Sequence, residues 1–434
     1  MNSFSAYVDE LKEYTIERLG QRRIATLVPS HPQFDSRATT RELNKRLRSL
    51  IPIEDLRDSG SFFTGDEMAL QAANLLLGEV TIASHIVDPA CGAGNLLIAC
   101  SKRLPINRHS LRSTLIEWGQ ILSGRDLYPK FIDATKMRLA IEALNRGAES
   151  DIEDVEEIYA LFGNISTGNA MQDSQLLFHA SHVIVNPPYT MTDASADESW
   201  TSGKTNAAAL FIKYIADNTV VGTRISAILP DVLRSGSRYA KWREVLSSKL
   251  SVGIEIAEKF DAETDVDVFM MHGTRTENRH NNLWQVADTE HSHVGSYFNI
   301  KVGPVVDCRD PHEGEYSVFL CPKDIVVGER IDTDQIERTR RFKGRLCEPP
   351  FVAIKRTSSP RESVRSSGCI IQGDDLVAVE NHVIVAFPND GLLSTCESLL
   401  HVLSSQSTKE FLDKRIRCRH LTVSSVADIP WSAD

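Results

Sequence analysis

Eight residues constrain the fold of this chain more than any others: Asp88-Pro89-Ala90-Cys91-Gly92-Ala93-Gly94-Asn95. They separate a short apolar run, His85 to Val87, from a second run in which Leu96, Leu97, Ala99 and Cys100 continue as a helix. Gly92 and Gly94 let the backbone turn tightly and approach a ligand closely. The N–H groups opening the helix can then meet an anionic or polar group. A strand, a glycine turn and a helix in that order open a parallel α/β sheet. The run is not Gly-x-Gly-x-x-Gly, because Leu97 takes the third place, and no Gly-Lys-Ser/Thr follows. A pyrophosphate ligand is disfavoured, and a plain tight turn is the bland alternative.

The alternation of strands and helices continues. Helices are expected over 5–19, 66–77, 104–118, 131–144 and 208–215. Thr64 and Glu67 form a capping-box pattern before the second of these. Strands are expected over 119–124, 182–185, 224–229, 252–257 and 266–271. Apolar strands alternating with helices predict a mostly parallel sheet covered on both faces. After about residue 280 the runs become short and β-type (284–286, 302–306, 316–320), with a helix expected over 394–403. The predicted organisation is an N-terminal helical segment over 1–57, an α/β domain over 58–280 and a mixed α/β domain over 281–434.

A cofactor with a ribose needs a hydrogen-bond acceptor at the end of the next strand. Asp126 stands there, 32 residues after Gly94. The usual interval is about 20, and the extra length fits an inserted helix around Leu104–Trp118. The competing role for Asp126 is a helix cap.

Asn186-Pro187-Pro188-Tyr189 closes the strand ending at Val185. That is the carboxyl edge, where α/β sheets bind ligands. Two prolines stiffen the turn and remove two N–H donors. The Asn186 side-chain oxygen and the Pro187 carbonyl can converge on an NH2 group. Tyr189 adds a flat face for a heterocycle.

With these residues in place, the chain resembles S-adenosylmethionine-dependent DNA methyltransferases of the adenine-N6 class. The matching segments are Asp88–Gly94 and Asn186–Tyr189, with Gly60-Ser61-Phe62-Phe63-Thr64 upstream and Phe260 with Asp265-Val266-Asp267-Val268 downstream. Their order is that of the gamma group, and the likeness covers roughly 58–275. It implies a Rossmann-like methyltransferase domain followed by a C-terminal target-recognition domain. Phe63 and Thr64 would line the methionine end of S-adenosyl-L-methionine. Asp88, Ala90, Cys91, Gly92 and Gly94 would hold its amino-acid and sugar portions, and Asp126 its ribose hydroxyls. Asn169 occupies the place of a usual Asp or Glu that contacts the adenine amine. Asn186, Pro187, Pro188 and Tyr189 would be catalytic, with Tyr189 and Phe260 stacking on a target base flipped out of the duplex.

Composition is that of an ordinary globular chain, with 41% hydrophobic and 25% charged residues. No apolar run reaches the roughly 18 residues of a membrane span. Residues 1–14 carry early acids and no apolar core, so no secretory signal is expected. Eight cysteines with no Cys-x-x-Cys pair fit reduced thiols in the cytoplasm and argue against a zinc ribbon. His291 and His293 lack a third ligand of suitable spacing, so no metal is expected.

The net charge of −11 speaks against nucleic acid at first sight. Residues 338–365, however, hold nine basic residues against Glu348 and Glu362. Arg340, Arg341, Lys343, Arg345, Lys355 and Arg356 are the candidate phosphate contacts; a solvated basic loop is the alternative. The partners implied are double-stranded DNA and a possible specificity or restriction subunit. Competing functions are a methyltransferase for RNA or protein glutamine, since Asn-Pro-Pro-Tyr also occurs in glutamine methyltransferases, and a non-catalytic DNA-binding subunit. The long region after 275 argues against the first, and the intact motifs against the second.

Overall fold

The computed structural model describes residues 2–20, 64–76, 78, 80–195, 198–256, 267–278, 284, 292–358, 362–416 and 420–431. Phe63, Phe260 and the rest of their segments before Thr64 and Asp267 lie outside the described residues, as does His291. By internal contacts the chain divides into two units. One holds residues 1–233 and 240–283, the other 234–239 and 284–434.

The first unit is built on seven strands. They are β1 (Ile86–Asp88), β2 (Leu122–Asp126), β3 (Ile165–Thr167), β4 (His182–Val185), β7 (Arg224–Pro230), β8 (Leu250–Ile256) and β9 (Val268–Arg275), with β5 (Met191–Asp193) and β6 (Lys204–Asn206) forming a separate hairpin. The order is β3-β2-β1-β4-β7-β9-β8. β1, β2, β3, β4 and β7 run parallel, and β9 is antiparallel to both β7 and β8. Every residue of β1 and β4 is buried. This is why those strands read as unbroken apolar runs rather than alternating ones.

Helices α1 (Asn2–Gly20), α2 (Asp66–Leu76), α3 (Asn95–Ser101), α4 (Leu111–Ile121), α5 (Pro129–Asn145), α6 (Val155–Leu161), α7 (Ser174–Phe178) and α8 (Ala207–Asn218) belong to this unit. α1 does not stand apart. Phe4, Tyr7, Val8 and Leu11 enter the main core, and the Phe4 ring meets Phe131 of α5 edge-on with centroids 4.6 Å apart. The helix expected over 104–118 begins only at Leu111, and its other end needs correcting too. Gly119–Ile121, read as strand, is the last part of α4. Leu115, Trp118 and Ile121 are buried at helical spacing, and a short apolar run alone does not distinguish the two states.

The second unit has three layers. β10 (Phe298–Val302), β12 (Arg330–Asp332), β14 (Phe351–Lys355), β15 (Gly368–Gln372) and β17 (Val383–Pro388) form one sheet in the order β10-β17-β14-β15-β12. β11 (Glu315–Leu320), β13 (Thr339–Phe342) and β16 (Val377–Val379) form another. Alternation along the strands divides the large sheet between two cores. Val352, Ile354, Ile384 and Ala386 pack with Cys396, Leu399, Leu403 and Leu412 of α9 (Leu393–Ser404) and α10 (Gln406–Arg415). Phe351, Ala353, Val383 and Val385 pack with Leu320, Val377 and Val379 of the small sheet.

Candidate active site

β1 and β4 are neighbours, and the strand order reverses between them. Their carboxyl ends therefore open at the switch point of the sheet. The segments that follow them line one cavity of about 420 Å³, a volume suited to a nucleoside-sized ligand. Thr64, Asp88, Ala90, Cys91, Gly92, Asp126, Asn169, Asn186 and Pro188 all line it. Gly94, Pro187 and Tyr189 are not part of the lining.

The glycine turn is held from several sides. The Ala90 N–H donates to Asp88 Oδ1 at 3.1 Å and the Cys91 N–H to the Arg125 carbonyl at 2.9 Å. Gly92 and Gly94 adopt φ of +50° and +85°, a region that costs any other residue strain. A Cβ on Gly94 would also lie 2.7 Å from Thr135 Cγ2. The Thr135 hydroxyl donates to the Gly92 carbonyl at 2.9 Å. Buried Arg138 donates to the Ala93 carbonyl and, at 2.6 Å, to Asn95 Oδ1. Sequence reasoning did not find Thr135 and Arg138. They sit inside an unremarkable helical stretch, and a buried arginine carries no local signal.

The two carboxylates differ in use. Asp88 is almost fully buried, and burial, with the nearby Asp126 charge adding, pushes its carboxyl up to about 8 despite the Ala90 hydrogen bond. Asp126 accepts from the Gly92 N–H and the Tyr128 N–H, both at 3.0 Å, while burial raises its carboxyl above the usual range. Cys91 is also buried. Burial first, then the Asp88 and Asp126 charges, lifts its thiol well above the normal value. The thiol thus stays protonated, so this cavity offers no thiolate nucleophile.

Asn169 caps a short 3-10 turn, its Oδ1 accepting from the Met171 N–H at 3.0 Å. The oxygen's second lone pair is what an exocyclic amine would use. Leu127, Met171, Leu210 and Phe211 supply apolar wall that sequence reasoning did not single out. Leu127 is 63% exposed, and only its place after Asp126 could have marked it.

The turn after β4 is fastened on both sides. Asn186 Nδ2 donates to Thr64 Oγ1 at 3.0 Å. The Tyr189 hydroxyl donates to Asn186 Oδ1 at 2.7 Å and lies 3.1 Å from the Ile228 carbonyl. Asn206 Nδ2 donates to the Tyr189 carbonyl at 3.0 Å while Asn206 Oδ1 caps α8. Sequence reasoning missed Asn206, although an Asn before Ala207-Ala208-Ala209 is an N-cap pattern. The Tyr189 ring is packed against the core, its hydroxyl turned inward. Burial raises that hydroxyl well above its ordinary value.

The residues present fit S-adenosylmethionine. A positive-φ turn admits close backbone approach, the buried Asp88 carboxyl lines the cavity where it could hydrogen-bond an ammonium group, and an acceptor stands at the end of β2.

The basic segment does not form one exposed face. Arg340 is buried, paired with Asp307, bonded to the Asp310 carbonyl at 2.7 Å and set over the Phe319 ring. Its position on β13 points it inward, so it is withdrawn as a phosphate contact. Arg341 is exposed over Tyr316 and donates to the Gly314 carbonyl at 2.8 Å. Lys343 pairs with Glu313 at 2.9 Å. Arg356 reaches the Asn381 carbonyl at 3.3 Å, and Arg345 borders a groove with Lys301 and Phe387. Lys355 is half-buried at the end of β14. Arg338, Arg340, Lys343 and Arg365 thus meet acids from outside the segment, namely Asp324, Asp307, Glu313 and Asp413, which a windowed count does not register. Among the described residues, no group of three or more His, Cys, Asp or Glu could hold a metal, and no helix is long and apolar enough to cross a membrane.

Among solved structures, the chain is similar to the type IIL restriction-modification enzyme MmeI in complex with DNA (12% identity, TM-score 0.50, 90% of this chain and 70% of that one). It is also similar to the type IIG restriction endonuclease BpuSI (14%, 0.44, 99% and 67%) and to the type I restriction enzyme EcoKI M protein (16%, 0.36, 63% and 63%). At such identities the likeness concerns the fold alone. The chain spans about half to two thirds of the length of most such structures. No curated protein matches it. The profile of the N-6 DNA methylase family matches residues 53–291, more than half of the chain, and the chain belongs to that family.

Proposed function

We propose that this chain moves the methyl group of S-adenosylmethionine to the N6 amine of adenine in double-stranded DNA. It would serve as the modification component of a restriction-modification or antiviral defence system, alone or beside a specificity or restriction subunit. The carrying observation is that the glycine turn after β1, Asp126 after β2 and Asn186 with Pro188 after β4 border a single cavity. Family membership supports DNA as the substrate.

The chemistry asked of the residues is positioning. The lone pair of adenine N6 is delocalised into the ring, so the amine is a poor nucleophile. Asn186 Oδ1 and the Pro187 carbonyl would accept its two hydrogens and orient the lone pair. The cofactor supplies an electrophilic methyl on a sulfonium. No strong base is required, because the proton becomes acidic only after transfer. Orientation and preorganised electrostatics would account for most of the acceleration. Tyr189 and Phe260 would stack on the flipped base, with residues 281–434 as the target-recognition domain.

The test uses labelled S-adenosylmethionine and mixed-sequence DNA, with nucleoside analysis of the product. N6-methyladenine should form with the native chain and be lost with Asn186→Ala. No N6-methyladenine, or equal product from both proteins, would sink the reading.

A further inference from the structure

Asn186 must present its carboxamide oxygen, not its nitrogen, to an amine. A free side-chain amide rotates through half a turn at little cost. Two hydroxyls bond the amide, one at each end. Thr64 Oγ1 accepts from Asn186 Nδ2 at 3.0 Å, and the Tyr189 hydroxyl donates to Asn186 Oδ1 at 2.7 Å. The Thr64 end is itself anchored, since its carbonyl accepts from Asn95 Nδ2 at 2.6 Å and Arg138 holds Asn95 Oδ1 at 2.6 Å. The Tyr189 end is anchored because its carbonyl is held by Asn206 Nδ2 at 3.0 Å.

We infer that Thr64 and Tyr189 are positioning residues whose hydroxyls hold the Asn186 carboxamide in the one orientation that can accept from an amine. This deepens the reading of adenine methylation and rests on it. A tyrosine hydroxyl has one proton. Its contact at 2.7 Å to Asn186 is shorter than the 3.1 Å to the Ile228 carbonyl, so the proton serves Asn186. An amide oxygen has two lone pairs, so Oδ1 can take the Tyr189 proton and still accept from the target amine. The role assigned to Tyr189 is thus separate from stacking, which needs only the ring. The role of Thr64 is likewise separate from contact with the cofactor.

The experiment compares Tyr189→Phe, Thr64→Val and Thr64→Ser in the full chain. Tyr189→Phe keeps the ring and loses the hydroxyl. Three readouts are taken: the single-turnover methylation rate, the dissociation constant for S-adenosylmethionine, and the fluorescence of 2-aminopurine placed at the target adenine. Tyr189→Phe and Thr64→Val should each slow single-turnover transfer about tenfold, the worth of one well-placed hydrogen bond. Cofactor affinity should stay within about twofold in Tyr189→Phe, and 2-aminopurine fluorescence within about twofold in both. Thr64→Ser should regain most of the rate lost in Thr64→Val. Rates within about twofold of the native chain in both hydroxyl-free variants would overturn the inference, as would a rate loss in Tyr189→Phe matched by an equal loss of cofactor affinity. If the native chain itself methylates no adenine, the functional reading fails and takes this role with it. If it methylates and both variants keep pace, only the hydroxyl clamp fails.

Discussion

The backbone N–H of Gly92 donates to the Asp126 carboxylate at 3.0 Å, joining the turn after β1 to the end of β2. The same carboxylate takes the Tyr128 N–H at 3.0 Å. Asp126 is therefore a brace for two loops, beside its proposed role as an acceptor for a ribose. Asp126→Ala leaves both donors without this acceptor, a loss of about 2 kcal/mol. The expected outcome is a lower melting temperature together with at least tenfold weaker S-adenosylmethionine binding, read by thermal unfolding and calorimetric titration.

Asp88 gives a pH signature. Its carboxyl sits at about 8 in the folded chain, against about 3.9 for a solvated aspartate. Between those values the folded state binds more protons than the unfolded one. Its contribution to stability is thus fully present below about pH 4 and is lost as pH rises toward 8. Asp88→Asn removes the titration. The melting temperature of Asp88→Asn minus that of the native chain should grow from pH 5 to pH 9 in the absence of cofactor. A constant difference would refute the assignment.

Gly94 carries φ of +85°, with Thr135 Cγ2 2.7 Å from the place a Cβ would take. Gly94→Ala must strain the turn or push Thr135 off the Gly92 carbonyl. The expected loss is about 2–4 kcal/mol, with cofactor binding reduced in parallel. Chemical denaturation measures the first and titration the second.

Arg340 and its neighbours separate two kinds of basic residue. Arg340→Ala removes a buried guanidinium that holds the exposed Asp307 and the Asp310 carbonyl, and should destabilise the chain by about 1–3 kcal/mol while leaving the salt dependence of DNA binding unchanged. Arg341→Ala with Lys343→Ala should scarcely alter stability, since both side chains are exposed. If this edge contacts phosphate, the double variant flattens the plot of log affinity against log salt. An unchanged slope would move DNA contact elsewhere.

The parts legible in the sequence are those set by local chemistry. A glycine turn after an apolar strand, a double proline closing another, and an aspartate at the next strand end are short-range patterns. The structure brings the cavity-lining members of all three to one place. The Gly119–Ile121 segment was not legible, because Gly119, Gln120 and Ile121 suit either state until Trp118 and Leu115 show which face is buried. Arg340 was not legible either. Only the pairing of β13 with β11 turns it toward Asp307 and away from solvent.

The sequence by itself determined the order of elements, the identity of the turn residues and hence the class of site, because backbone permission at glycine and proline is local. The tertiary structure alone decided what holds that site. Arg138, Asn95, Thr64 and Asn186 form a chain of hydrogen bonds across 122 positions of sequence between Thr64 and Asn186. It decided as well which charges are spent. Burial and pairing depend on which strands become neighbours, and a linear count of charges cannot encode that.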